Sequence, residues 1–190
     1  MKPLLIHNGR IIDPGQEIDE VGDLLIADGK ILWVGGREGT PPLPDYDVIR
    51  ADELVICPGF VDLHCHLRQP GFEGKETIAT GTQAAARGGF TTICCMPNTN
   101  PPLDNQETID YVKSVAAKEG VVSVLPIGCV SKGRNGEELV DMAELESAGV
   151  IAYSDDGLPV KTPYLMRQAL EYSSALGLPI IDHCEDTAMT

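Results

Sequence analysis

Long apolar runs are missing from this chain of 190 residues. None reaches the about 18 consecutive apolar residues that a membrane span needs. The opening residues, Met1-Lys2-Pro3-Leu4-Leu5-Ile6-His7, lack the apolar stretch and small-residue cleavage site of a secretory leader, so a cytoplasmic protein is expected. Positive charge is scarce too. Lys and Arg number 14 against 29 Asp and Glu, a net charge of −15. That balance argues against nucleic acid or an anionic membrane surface as the main partner, and otherwise serves solubility. None of the six cysteines (Cys57, Cys65, Cys94, Cys95, Cys129 and Cys184) forms a CxxC pair, so buried, reduced thiols are expected. Histidine is limited to four residues, and their placement is informative.

Two of the four sit in one triplet, His64-Cys65-His66, at the end of the apolar run 55–63. Side chains on a strand alternate faces, so His64 and His66 would project together and could share a metal ion. A third, His183, ends another apolar run. His7 stands beside an expected turn near the N-terminus and is given no role.

Residues 1–57 read as a small, incomplete β-sandwich module. Its short strands are punctuated by Asn8-Gly9, by the hairpin signal Asp28-Gly29 and by a loop over 39–44. From residue 58 the pattern becomes strand, helix, strand, helix. Strands are expected at 60–66, 90–96, 121–127, 150–154 and 178–183. Helices are expected at 76–87, at 106–118 (capped by Asp104 or Asn105) and at 137–148. A fourth helix has Thr162 as cap, Pro163 at its first position and Gly177 past its end. The basic loop Ser131-Lys132-Gly133-Arg134-Asn135-Gly136 reads as solvated.

This alternation implies an α/β fold with a parallel sheet. A doubly wound sheet would fit. The N-terminal part of a (β/α)8 TIM-type barrel, strands 1–5, fits better, because polar residues gather at the C-terminal ends of the strands. A complete barrel takes about 250 residues. Residues 58–190 would therefore be a truncated first half, the front of a longer protein, and unstable alone.

Three strand ends supply ligand-type side chains: His64 and His66, then Asp155 or Asp156, then His183. Alone, a histidine on an apolar strand is usually a core residue, and Asp-Asp-Gly is usually a turn. Their joint occurrence suits zinc or a similar divalent ion. Strand alternation does not decide between the two aspartates.

The segment Pro58-Gly59-Phe60-Val61-Asp62-Leu63-His64-Cys65-His66-Leu67-Arg68 resembles the amidohydrolase superfamily. Gln69-Pro70-Gly71, Gly88-Gly89-Phe90-Thr91-Thr92, Met96-Pro97-Asn98-Thr99-Asn100-Pro101-Pro102, Ser154-Asp155-Asp156-Gly157 and Asp182-His183-Cys184-Glu185-Asp186 resemble the dihydroorotases, of the bacterial aspartate-bridged type. The resemblance implies that His64 and His66 hold one zinc, that an aspartate bridges two, and that His183 holds the second. It favours Asp156 as bridge, 27 residues before His183. It places Arg68 and Asn98 on the substrate carboxylate, with His66 beside them. No lysine lies in 150–157, where other relatives carry a carboxylated one, which argues against the hydantoinase and dihydropyrimidinase branch.

The implied reaction interconverts dihydroorotate and N-carbamoyl-L-aspartate in pyrimidine biosynthesis. Aspartate transcarbamoylase is the implied protein partner, and a homodimer the implied assembly. In the family, a histidine after strand six completes the second zinc site, and an aspartate after strand eight is the general base. Neither region is in this sequence, so the piece alone is expected to be inactive. The competing expectations are allantoinase or another cyclic ureide hydrolase, and a non-catalytic scaffold for the transcarbamoylase.

Overall fold

The computed structural model describes residues 2–36, 39, 41, 45–186 and 188–189. Most of the loop expected over 39–44 lies outside them. The chain divides into two compact units, Met1–Pro58 and Gly59–Thr190.

In the first unit, β1 (Leu4–Asp13), β2 (Ile18–Ala27), β3 (Lys30–Gly35), β4 (Asp47–Arg50) and β5 (Val55–Ile56) form one sheet. Its order is β3-β2-β1-β4, with β5 also pairing β1. Asp28 (φ 50°) and Gly29 (φ 73°) both adopt left-handed backbone, which matches the twist of the β2–β3 hairpin they join. Asn8-Gly9, expected as a turn, is instead a bulge inside β1, where the register against β2 shifts. Asn8 turns left-handed (φ 63°) and donates its N–H to Asp23 Oδ1 at 3.0 Å. A Cβ on Gly9 would lie 2.5 Å from Ile56 Cδ1 and 3.0 Å from Ala51 Cβ, so a larger residue there would force the Ile56 side chain to move. His7 Nδ1 lies 3.0 Å from the same Asp23 oxygen, a local structural bond.

The second unit has a parallel sheet of β6 (Phe60–Cys65), β7 (Phe90–Cys95) and β8 (Ser123–Pro126), in that order. The helices are α1 (Ile78–Arg87), α2 (Gln106–Glu119), α3 (Met142–Ala148) and α4 (Pro163–Leu176). Thr162 Oγ1 caps α4 by accepting from Leu165 N–H at 3.1 Å, and Gly177 leaves it left-handed (φ 73°). Asn105 caps α2 through Thr108 N–H at 3.1 Å. The first helix starts two residues later than expected because extended Thr77 is its cap. The third helix is only half its expected length. Residues 138–140 return along 130–132 instead, with Lys132 N–H donating to Glu138 O at 2.8 Å and Val140 N–H to Val130 O at 3.1 Å.

The strands expected at 150–154 and 178–183 are reduced to bridges at Tyr153, which pairs with Gly128 on one side and Ile180 on the other. Pro126 and Pro179 flank these pairings, and proline cannot donate to a ladder. The parallel order nevertheless continues: Ile151 N–H donates to Pro126 O at 3.1 Å and Ile181 N–H to Tyr153 O at 2.8 Å.

Alternation along β7 divides the core. Ile93 and Cys95 pack beneath the helices with Ile78, Ile109, Val112, Leu145 and Tyr153. Cys94 and Met96 face the other side with Ile127 and Ala152. Cys65 packs with the helix-side cluster. Its neighbours His64 and His66 therefore project to the opposite side of the sheet. Among the described residues, no helix is long and apolar enough to cross a membrane.

Candidate metal centre

The end of β6 and the turn after Ser154 bring the expected ligands together. His64 Nε2 lies 3.3 Å from Asp156 Oδ1, and His66 Nε2 lies 3.6 Å from Asp156 Oδ2. One ligand atom from each of His64, His66 and Asp156 falls within 4.8 Å of the others, so the three could hold one metal ion. The two imidazoles stand edge to face, with centroids 5.2 Å apart. His183 joins as well, its Nδ1 3.8 Å from the same Asp156 Oδ1. Asp156 is thus the carboxylate that all three histidines face.

Asn98, in the loop after β7, links two of these groups. A carboxylate only accepts hydrogen bonds, so the Asn98 Nδ2 donates to Asp156 Oδ2 at 3.2 Å. Its Oδ1 is then left for His66 Nδ1, 3.0 Å away, which must carry a proton. A neutral His66 therefore turns the lone pair of Nε2 toward the Asp156 carboxylate. A lone pair aimed at a carboxylate with no proton between them is an arrangement that a cation relieves. Imidazole nitrogen and carboxylate oxygen are the donors a borderline divalent ion prefers.

The two adjacent aspartates divide the work that alternation left open. Asp155 is 3% exposed and accepts from the N–H groups of Val130 and Ser131 at 2.9 and 3.1 Å, and from the Ser131 hydroxyl. Burial pushes its carboxyl above the usual range, and the bonds from Ser131 and Val130 oppose that shift.

Arg68 follows His66 in a turn with left-handed backbone (φ 60°). That turn is seated against the Asn98 loop: Asn100 N–H donates to Pro70 O at 3.0 Å, and a Cβ on Gly71 would lie 2.1 Å from Asn100 O. Arg68 and Asn98 therefore sit on two loops that touch.

Sequence reading did not single out Glu185. Its Oε2 lies 2.9 Å from His183 Nε2, which leaves Nδ1 as the nitrogen facing Asp156. The i, i+2 spacing from His183 was the only available signal. Among the cysteines, Cys94, Cys95 and Cys129 are buried, whereas Cys57 and Cys184 are exposed, contrary to the expectation of buried thiols. Both flank short or irregular segments rather than strand interiors. Burial pushes the Cys65 thiol up to about 12, with the charge of Asp62 adding to it, so the residue between His64 and His66 stays a neutral thiol.

The family model for dihydro-orotase-like proteins matches residues 53–190. A dihydroorotase of Citrifermentans bemidjiense is 50% identical over 190 residues, covering 98% of this chain and 43% of the relative. A dihydroorotase of Aquifex aeolicus is 46% identical over 186 residues, covering 98% and 43%. Among solved structures, the L-hydantoinase (dihydropyrimidinase) from Arthrobacter aurescens superposes with a TM-score of 0.83 at 21% identity, over 99% of this chain and 42% of that one. The D-hydantoinase (dihydropyrimidinase) from Thermus sp. gives 0.74 at 28% identity, over 97% and 41%. The chain spans less than half the length of these relatives. The mixed α/β fold is shared with the amidohydrolases, and by the match over residues 53–190 and the identity of its relatives the chain belongs to the dihydro-orotase-like family.

Proposed function

We propose that the protein carrying this chain is a zinc-dependent dihydroorotase, which interconverts (S)-dihydroorotate plus water with N-carbamoyl-L-aspartate in pyrimidine biosynthesis. The observation that carries the reading is the meeting of His64, His66 and His183 around Asp156. In this reading residues 58–190 are the first half of a (β/α)8 barrel, preceded by part of a β-sandwich over 1–57. The protein is cytoplasmic.

His64, His66 and Asp156 would hold one zinc, and Asp156 with His183 would contribute to a second. Bound there, zinc acts as a Lewis acid and lowers the pKa of a coordinated water to about 7. The chain's own side chains supply orientation. Asn98 holds the His66 ring through Nδ1, and Glu185 holds His183 through Nε2. Arg68 offers a planar guanidinium that matches a carboxylate bidentately, as the anionic substrate requires. Asn98, on the loop that touches the Arg68 turn, would share that carboxylate, with His66 bonded to Asn98.

Two observations favour this reading over a hydantoinase. No lysine occupies 150–157, and the 50% identical relatives are dihydroorotases, whereas the 21% likeness to an L-hydantoinase speaks for the fold alone. The presence of all four expected ligands disfavours a non-catalytic scaffold that serves aspartate transcarbamoylase.

The test measures zinc content and dihydroorotate hydrolysis in the full-length protein, wild type against Asp156→Ala. Bound zinc with turnover, both lost in the variant, supports the reading. Zinc without turnover on dihydroorotate, but with turnover on allantoin or another cyclic ureide, moves the substrate. Neither zinc nor turnover in the wild type overturns it.

A further inference from the structure

Asp155 adjoins the proposed bridging residue, is buried, and takes no part in the chemistry above. Its three donors all come from residues 130–131, in the segment that follows β8. That segment also reaches back over the Asp155-Asp156 backbone. Arg134 Nη2 donates to the main-chain oxygen of Asp156 at 2.7 Å, and its Nε lies 3.4 Å from the oxygen of Asp155. The Ser131 hydroxyl oxygen accepts from Gly136 N–H at 2.7 Å, which closes the loop on itself. Arg134 is half-buried and holds left-handed backbone (φ 56°), an uncommon state for a long side chain. The loop that reads as solvated is therefore clamped onto the metal-ligand turn.

We propose that Asp155, Ser131 and Arg134 form a latch that positions the Asp156 carboxylate, with Arg134 as its positioning residue. Gly157 follows Asp156 with φ 82°, and glycine leaves the 156–157 peptide unusually free to rotate. Arg134 is bonded to the oxygen of that peptide. On the other side, Asp156 N–H donates to Ser154 Oγ at 3.1 Å. Both flanking peptides are thus held, which fixes the direction of the Asp156 Cα–Cβ bond, and from there the carboxylate meets His64 and Asn98. The latch also chooses between the two carboxylates, since Asp155 is fully engaged by the 130–131 segment. Metal ligands depend on such outer partners, whose loss typically weakens metal binding about 10- to 100-fold.

The inference rests on the metal reading, and the experiment separates the two. Zinc affinity by chelator competition, the visible absorption of the cobalt-substituted protein, and kcat and KM would be measured on full-length wild type, Arg134→Ala, Arg134→Lys and Lys132→Ala. Arg134→Ala should weaken zinc binding by about tenfold or more, shift the cobalt bands and lower kcat with KM unchanged. Arg134→Lys should recover part of each effect, because an ammonium can reach one of the two carbonyls. Lys132→Ala, which removes only a surface ion pair with Glu138, should match wild type. Wild-type zinc affinity and cobalt spectrum in Arg134→Ala overturn the latch, even if the variant unfolds more easily. A raised KM alone also overturns it, by making Arg134 a substrate contact. A wild type that takes up no zinc overturns the metal reading and the latch together.

Discussion

Replacing Asn98 by alanine tests the link between the β7 loop and the metal centre. The substitution removes two hydrogen bonds at once, His66 Nδ1 to Asn98 Oδ1 at 3.0 Å and Asn98 Nδ2 to Asp156 Oδ2 at 3.2 Å. The second is charge-assisted, and bonds to charged groups contribute about 1.5–3 kcal/mol net against about 1 kcal/mol for a neutral pair. Water can reach part of this site, since the His66 side chain is 28% exposed and that of Asp156 12%. Water would replace some of the lost bonding and push the effect toward the lower end. Freed from Asn98, the His66 ring can also flip or change tautomer, so Nε2 no longer presents its lone pair reliably. The expected loss of zinc affinity is about tenfold, or about 1.4 kcal/mol. Asn98 is also proposed to share the substrate carboxylate with Arg68, so KM for dihydroorotate should rise as well. Chelator competition reads the first effect without any turnover, and steady-state kinetics on the full-length protein read the second. A zinc affinity within twofold of wild type would refute the assignment of Asn98 as the holder of His66, whatever happens to KM.

Two further predictions concern the loops and the thiols. Gly71→Ala places a Cβ against Asn100 O in left-handed backbone, so it should spread the Arg68 turn from the Asn98 loop; KM should rise with zinc content unchanged, and an unaltered KM counts against Arg68 as a carboxylate ligand. Burial pushes the Cys95 thiol up to about 12, far above its value in the unfolded chain. Above about pH 9 the unfolded state loses this proton while the folded state keeps it, so stability falls as pH rises, by up to about 1.4 kcal/mol per pH unit for each such thiol. Denaturant melts from pH 8 to 10.5 should show that decline, and Cys95→Ala should make it shallower; an identical slope in the variant would remove Cys95 as a cause.

Several features were legible in the sequence because their causes are local. The fourth helix is bounded by Thr162, Pro163 and Gly177, whose effects act within one turn of the chain. The hairpin at Asp28-Gly29 needs left-handed backbone that these residues adopt readily. The shared direction of His64 and His66 follows from strand alternation alone. So most of the elements and the candidate ligands His64, His66 and His183 could be named from local pattern, and the family motifs supplied the chemistry and the choice of Asp156.

What stayed hidden depends on partners distant in the chain. Asn8-Gly9 has turn composition, yet Asp23 and the close approach of Ile56 make it a bulge. Residues 138–140 have helical composition, yet they pair back onto 130–132. The basic loop around Arg134 looked solvated because nothing within it reveals the carbonyls of Asp155 and Asp156. The sequence alone determined that carboxylates would meet histidines at the strand ends. Strand alternation left the two neighbouring aspartates open and only the family resemblance favoured Asp156; the physical reason that it faces the histidines lies in the tertiary structure. Donors from Val130 and Ser131, 25 and 24 residues earlier in the chain, satisfy Asp155 in the interior and leave Asp156 to the histidines.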